Sequence, residues 1–487
     1  MAPRILLLVC GLLLAASIPA YSATIRVPAD QPTIQQGIDA ASPGDLVLVA
    51  PGTYVGPQNR NLNCHGKSIE IRGDGGPAAI IIDCQGAGRG FVFSSGETSA
   101  LLITGFTITN GTDGGSQEGG GGLLILGSSP TIRDCVLRQN SAVSDFGNGG
   151  GGGIACYYST ATIDNCSFIE NTSTGTNGAV GGGLAAHTSA LTVSRCVFTR
   201  NEAVGWRSEG GGMYSGLIEG APAISDCVFS GNVAYYGGGI SAVSAGTTIT
   251  GTDFLHNKAI GSHAGGMSGG PCTITDCRFI GNSAAGGAGG LEIQSSSEVS
   301  RCSFIANSCV ERGGGVWCLN STSTFTDCVM AWNSADRGGG FACLDLHYLI
   351  RCTISHNSAA QGSGVYPYGG LAHITNSIIS FGLGSPAVSC GGGGGAAFWC
   401  SDVYGNEGGD WVGCITYYGG INNNFSFDPL FCDSGAWNFN LCSDSPCAPL
   451  QNPDCELVGA LQVGCGACGV TATTPATWGA VKFLYGR

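Results

Sequence analysis

The stretch Thr275–Ile293 reads TDCRFIGNSAAGGAGGLEI, and Ser300–Cys318 reads SRCSFIANSCVERGGGVWC. Each sets a cysteine, a phenylalanine two residues on and an asparagine three residues after that, then a glycine cluster and an aliphatic residue. Read outward, the unit begins at Cys135, Cys166, Cys196, Cys227, Thr252, Cys277, Cys302, Cys328 and Cys352, with a decayed copy expected to start at Asn376. The steps are 31, 30, 31, 25, 25, 25, 26, 24 and 24 residues. The asparagine falls at Asn140, Asn171, Asn201, Asn232, Asn257, Asn282, Asn307, Asn333 and Asn357. A fixed period of this size is the mark of stacked supersecondary units.

Cys277 and Phe279 are two apart, as are Val316 and Cys318. Alternation by two means short strands with one face inside. Strands this short cannot form a sheet within one unit, but each can pair with its copy one coil away, at about 4.8 Å. The expected fold is therefore all-β: a single-stranded right-handed parallel β-helix, a solenoid. Cysteine and phenylalanine should stack inward. The asparagines should sit at an αL turn and bond to their copies above and below. The glycines should supply tight turns at positive φ. The gap from asparagine to the next glycine-led strand varies most, so loops are expected at that corner.

The residue before the repeat's first position is Asp276, Arg301, Asp327 and Arg351 in successive coils. Unlike charges directly opposite across strands help, and like charges hurt. These four residues are expected to form an external ion-pair column.

The chain has 487 residues, of which 85 are glycine, with 11% charged and 43% hydrophobic residues. That balance describes a folded chain. The net charge of −14 argues against nucleic acid and anionic membrane surfaces as partners. Residues 1–22 read as a secretory signal peptide: Arg4, an apolar run from Ile5 to Ala16, and small residues at Ala20 and Ser22. No later run is long enough for a membrane-spanning helix. Secreted, extracellular or outer-surface location is expected.

Residues 24–389 are expected to form the β-helix, clearest at 105–380. Pro32 to Ala41 reads as a short N-terminal capping helix over the first coil. Residues 390–470 read as cysteine-rich C-terminal coils or cap, and 471–487 as a short tail. The cysteines of the inward column, with Cys318 and Cys343 in a second, should be mostly free, buried thiols, because parallel Cβ vectors suit disulfides poorly. Disulfides are expected in the C-terminal region, with pairing left open.

With these residues in view, the chain resembles the right-handed parallel β-helix, or pectin-lyase-like, superfamily. More narrowly, Phe168–Asn171, Phe198–Asn201, Phe229–Asn232, Phe254–Asn257, Phe279–Asn282 and Phe304–Asn307 are similar to the repeats of the chlamydial-type polymorphic outer membrane proteins. That resemblance implies a secreted or surface protein, often adhesin-like. Autotransporters of that family end in a membrane β-barrel, and nothing of that size follows these coils.

The same fold carries pectate lyases and polygalacturonases, so a polysaccharide lyase or glycoside hydrolase is the alternative. Such enzymes need clustered carboxylates, with Ca²⁺ and a base or as an acid/base pair. Here the Asp column is interleaved with Arg, and the chain lacks adjacent Asp-Asp, Gly-His-Gly and Arg-Ile-Lys. No catalytic residue, metal site or cofactor is expected. One ligand site is. The residue after each glycine-led inward position should face out; it is small in most coils but aromatic at Tyr214, Trp317 and Tyr366. Trp317 and Tyr366, two coils or about 10 Å apart, would suit alternate sugars of a glycan. The expected function is a non-catalytic adhesin-like or structural protein, with carbohydrate or a host or neighbouring cell surface as partner.

Overall fold

The computed structural model describes residues 22–468 except 117, 144–149, 217–219, 243–245 and 321. The expected leader, but for its last residue, and the short tail lie outside the described residues. Strands from successive coils stack in register into four parallel sheets of fifteen, fourteen, nine and twelve strands. In chain order around one coil they are sheet I (Cys272–Thr275), sheet II (Arg278–Ile280), sheet III (Ser283–Ala284) and sheet IV (Leu291–Ile293). The corner expected to carry the loops thus begins with a sheet of its own. At about 4.8 Å per strand, sheet I spans about 67 Å.

Inside, side chains stack on their own copies. The rings of Phe168, Phe198, Phe229, Phe254, Phe279 and Phe304 follow one another with centroids 4.4–5.4 Å apart and planes within 13°. Beside them runs the asparagine column. In each link Oδ1 accepts both the backbone N–H and the Nδ2–H of the asparagine one coil earlier, as Asn282 does for Asn257 at 2.9 and 3.0 Å. The spare Nδ2–H donates to a core carbonyl, as Asn257 does to Phe229 at 2.8 Å. The eight links from Asn140 to Asn357 are unbroken.

The turn geometry differs from expectation. The asparagines do not take the left-handed conformation; the residue before each does, including Glu170, Arg200, His256 and Trp332. So do Asp276, Arg301, Asp327 and Arg351 at the other corner. The αL residue turns the chain outward, which leaves the asparagine free to point in and join the ladder. The glycines divide the labour in threes. Gly237 has φ +61°; a Cβ on Gly238 would lie 2.5 Å from the Lys258 carbonyl oxygen in sheet III; one on Gly239 would meet Gly266 O at 2.4 Å and the Phe254 ring at 3.1 Å. Positive φ explains only the first; the other two allow close backbone approach.

The column cysteines are buried and free, and so are Cys318 and Cys343. Each column sulfur donates to the carbonyl two residues back, as Cys277 does to Thr275 at 3.2 Å, and Cys196, Cys227 and Cys302 also accept the N–H of the coil before. Where cysteine is missing, a hydroxyl takes over: Thr252 accepts from Cys227 N–H at 3.4 Å, and Ser377 from Cys352 N–H at 2.9 Å. The decayed copy therefore starts at Ser377, one residue later than expected, because serine hides the register. These positions need a small side chain that also bonds to the backbone.

At the N-terminal end, the helix Ile34–Ala40 is capped by Thr33, whose side chain accepts Gln36 N–H. It buries Ile34 and Ile38, and Gly37 packs against Val27 and Val47. At the other end, Trp411 and Tyr418 lie over Phe398, on the last strand of sheet I. The chain then turns back. Phe431–Asp433, Asn438–Cys442 and Val463–Cys465 make a small separate sheet. Phe439 and Ala460 cover Val329 and Ala331 on the outer face of sheet II. Disulfides Cys390–Cys414, Cys400–Cys455, Cys432–Cys465 and Cys442–Cys468 fasten this region.

One charge is enclosed there. Asp402, on the last strand of sheet II, is fully buried; it accepts Phe427 N–H at 3.0 Å and lies 3.5 Å from the free Cys447 thiol. Burial pushes its carboxyl well above the ordinary range, although the Phe427 N–H opposes this. An acid whose pKa is raised by folding stabilises the fold fully below its unfolded value and loses that contribution as pH rises towards its folded value. Asp402→Asn is therefore expected to stabilise the protein at pH 8 by about 1–3 kcal/mol and to leave it nearly unchanged at pH 4. Thermal unfolding across that range checks it.

Candidate functional site

The glycine turn brings two columns together along the outer side of sheet IV. One is the residue just before the glycine cluster: Val180, Glu209 and Tyr236 in bridged register, then His263, Gly287, Arg312 and Arg337. The other is the middle residue of the sheet IV strand: Tyr214, Ser241, Ser268, Glu292, Trp317, Ala342 and Tyr366. The first column folds over the second and makes a polar seam along the rod.

The expected aromatic site is placed otherwise. Trp317 and Tyr366 are only 3% and 4% exposed, and Tyr214 is half-buried. The guanidinium of Arg312 lies over the Trp317 ring at 5.3 Å, and a Cβ on Gly391 would touch the Tyr366 hydroxyl. The middle residues of sheet IV do point away from the core, but the pre-glycine column and the loops roof them. They form no open stacking platform.

What lies open is next to them. Trp206 is 60% exposed and its ring centroid is 5.2 Å from that of Tyr235. Tyr235 meets Tyr236 at 4.7 Å, and Tyr236 meets His263 edge-on at 4.4 Å. His263 Nδ1 bonds to Glu292 Oε1, which also accepts Gln294 Nε2–H at 2.9 Å. Glu292 is 1% exposed. Glu209 accepts the Ser241 hydroxyl at 2.8 Å. Burial pulls the His263 pKa down, but the Glu292 hydrogen bond and the charges of Glu292 and Glu209 outweigh it, and the net shift is upward. Burial also pushes the Glu209 carboxyl up, against Ser241 and His263. The run thus ends in an imidazole bonded to Glu292 and in the field of Glu209.

The charge column resolves into pairs. Arg301 makes two bonds to Asp276, at 2.7 and 2.9 Å, and Arg351 two to Asp327, at 2.6 and 3.0 Å. Arg195 pairs with Asp164. Among the described residues the one cluster with metal-ligand spacing is Cys432, Cys442 and Cys465, and all three are in disulfides. No helix among the described residues is long and apolar enough to cross a membrane.

Residues 58–254 match the family model of the right-handed β-helix region. The architecture and that match define the class: a right-handed parallel β-helix repeat protein. Similar solved structures include a mannuronic acid specific polysaccharide family 6 lyase from human gut microbiota, 13% identical over 72% of this chain and 86% of that one, with TM-score 0.40. Tailspike protein 3 of bacteriophage CBA120 is 13% identical over 78% of this chain and 56% of its own, with TM-score 0.35. Pectate lyase Pel9A is 13% identical over 91% and 97%, with TM-score 0.30. At this identity the likeness is one of fold alone. No curated protein matches the chain in sequence.

Proposed function

We propose that this protein is a secreted or cell-surface glycan-binding protein, adhesin-like and without catalysis, whose site is the seam beside sheet IV. The observation that carries the reading is the ring run Trp206–Tyr235–Tyr236–His263, which passes from an exposed indole to the buried Glu292 carboxylate. Aromatic faces take the apolar side of a sugar, and a few fixed polar groups orient its hydroxyls. The resemblance to the repeats of polymorphic outer membrane proteins agrees with a surface role.

A second reading, cleavage of a glycan, draws on the same cluster. Glu209, with its carboxyl pushed up, and Glu292, beside His263, could act as acid and base. A glycan array combined with a polysaccharide-turnover assay, with and without Ca²⁺, separates the two. Binding without turnover is expected. Trp206→Ala and Tyr235→Ala should each weaken it about 3–10-fold, the scale of one aromatic contact. Unchanged affinity in both variants would remove the ring run from the site, and turnover would replace the first reading with the second.

A further inference from the structure

Several of the rod's outer arginines are paired across coils. Arg195, Arg200, Arg278, Arg301 and Arg351 each meet a carboxylate one coil earlier, within 2.7 Å. Arg312 and Arg337 depart from that rule. They occupy one column in adjacent coils, bridged in register, so their backbones stand about 4.8 Å apart and carry like charges at neighbouring positions. Like charges directly opposite across strands destabilise. Both Nε atoms are buried without a hydrogen-bond partner. The carboxylate beside Arg337 is that of its own neighbour Asp336, 3.4 Å from Nε and outside hydrogen-bond geometry. Arg312 has rings for neighbours instead: its guanidinium is 5.3 Å from the Trp317 centroid and 5.6 Å from that of Tyr368. Those rings hold the guanidinium in place without neutralising it.

We infer that Arg312 and Arg337 form a subsite for an oxyanion, the carboxylate or sulfate ester of an acidic glycan lying in the seam. The inference rests on the glycan-binding reading and deepens it by naming the ligand's charge. An oxyanion between the two guanidinium groups would relieve their repulsion and give the unpartnered nitrogens an acceptor. Guanidinium forks match the geometry of planar carboxylates and of sulfate-like groups, which a lysine pair would not. The ring run that begins at Trp206 reaches the same seam a few coils earlier, so a chain of sugars could use both.

The test uses the whole chain, with Arg312→Gln and Arg337→Gln as variants and Arg301→Gln as the control arginine that has a partner. Affinities for a uronate oligosaccharide, a sulfated oligosaccharide and a neutral oligosaccharide of equal length are compared; the two acidic probes tell the carboxylate from the ester. At least one acidic probe should bind the wild type at least 10-fold tighter than the neutral one. Each seam variant should lose most of that preference, and the control should keep it. Melting without ligand gives an independent reading. Removing a ligand-binding like charge should leave Tm unchanged or raise it, whereas removing a structural arginine would lower it. A lowered Tm with the preference intact would overturn the inference. So would equal affinity for acidic and neutral probes, with the glycan-binding reading left standing. If no glycan binds, that reading falls and inorganic sulfate decides the subsite. Protection of the wild type by sulfate over chloride at equal ionic strength, absent in both seam variants, supports it; equal protection in all forms overturns it.

Discussion

Asn257→Ala is expected to lower the unfolding free energy by about 3–5 kcal/mol, among the largest losses available to a single side chain here. Asn257 stands mid-ladder. Its Oδ1 accepts from both the backbone and the side chain of Asn232, at 3.0 and 2.9 Å. Its Nδ2 donates to Asn282 and to the Phe229 carbonyl. Truncation strips an acceptor from two donors and a donor from two acceptors, in a site closed to water. The orphaned groups, more than the lost bonds, set the cost. Asn257→Asp should do as badly at neutral pH, since it keeps the acceptor but buries a charge. Chemical denaturation checks both, and a loss below about 1 kcal/mol would mean that the ladder bears little of the fold's stability.

Gly238→Ala is the second large effect, expected to cost at least about 3 kcal/mol or to prevent folding. The added Cβ would lie 2.5 Å from the carbonyl oxygen and 2.6 Å from the nitrogen of Lys258. Those atoms belong to sheet III, whose strand donates Lys258 N–H to Asn232 O in the coil before. The clash is with backbone, so no side chain can turn aside. Gly76→Ala is a useful contrast: its Cβ would meet nothing within 4 Å, leaving only the strain of φ +79°. A milder loss there, measured by the same unfolding experiment, separates backbone contact from backbone conformation.

The interior was the legible part of this chain. Phenylalanine, cysteine and asparagine recur at the coil period because each touches its own copy, and a self-contact leaves the same letter in every repeat. The αL corners left no such mark. Arg200, His256, Ala306 and Trp332 share one left-handed position without sharing chemistry, because the turn is imposed by the coils on both sides. The seam was hidden for a related reason. His263 meets Glu292 in the following coil, 29 residues on, and neither type repeats in its column. The signal available was the residue before the glycines, where Glu209, Tyr236, His263, Arg312 and Arg337 are large while the interior stays uniform. The C-terminal fold-back carries no period at all: Ala460 N–H reaches Thr353 Oγ1 across 107 residues, at 2.9 Å.

The asparagine ladder also bears on how such a chain can change by duplication or loss of sequence. Each link asks of its neighbour only another asparagine one coil away. Excising Cys277 to Arg301 would seat Asn307 where Asn282 stood, and Phe304 would follow Phe254. The rod would close up as a shorter rod. The seam would not survive the same edit, since His263 would lose Glu292 and face the coil of Trp317. Coil number is thus a free variable for the scaffold and a fixed one for the site, so lineages that differ in length can share this architecture without sharing what it holds.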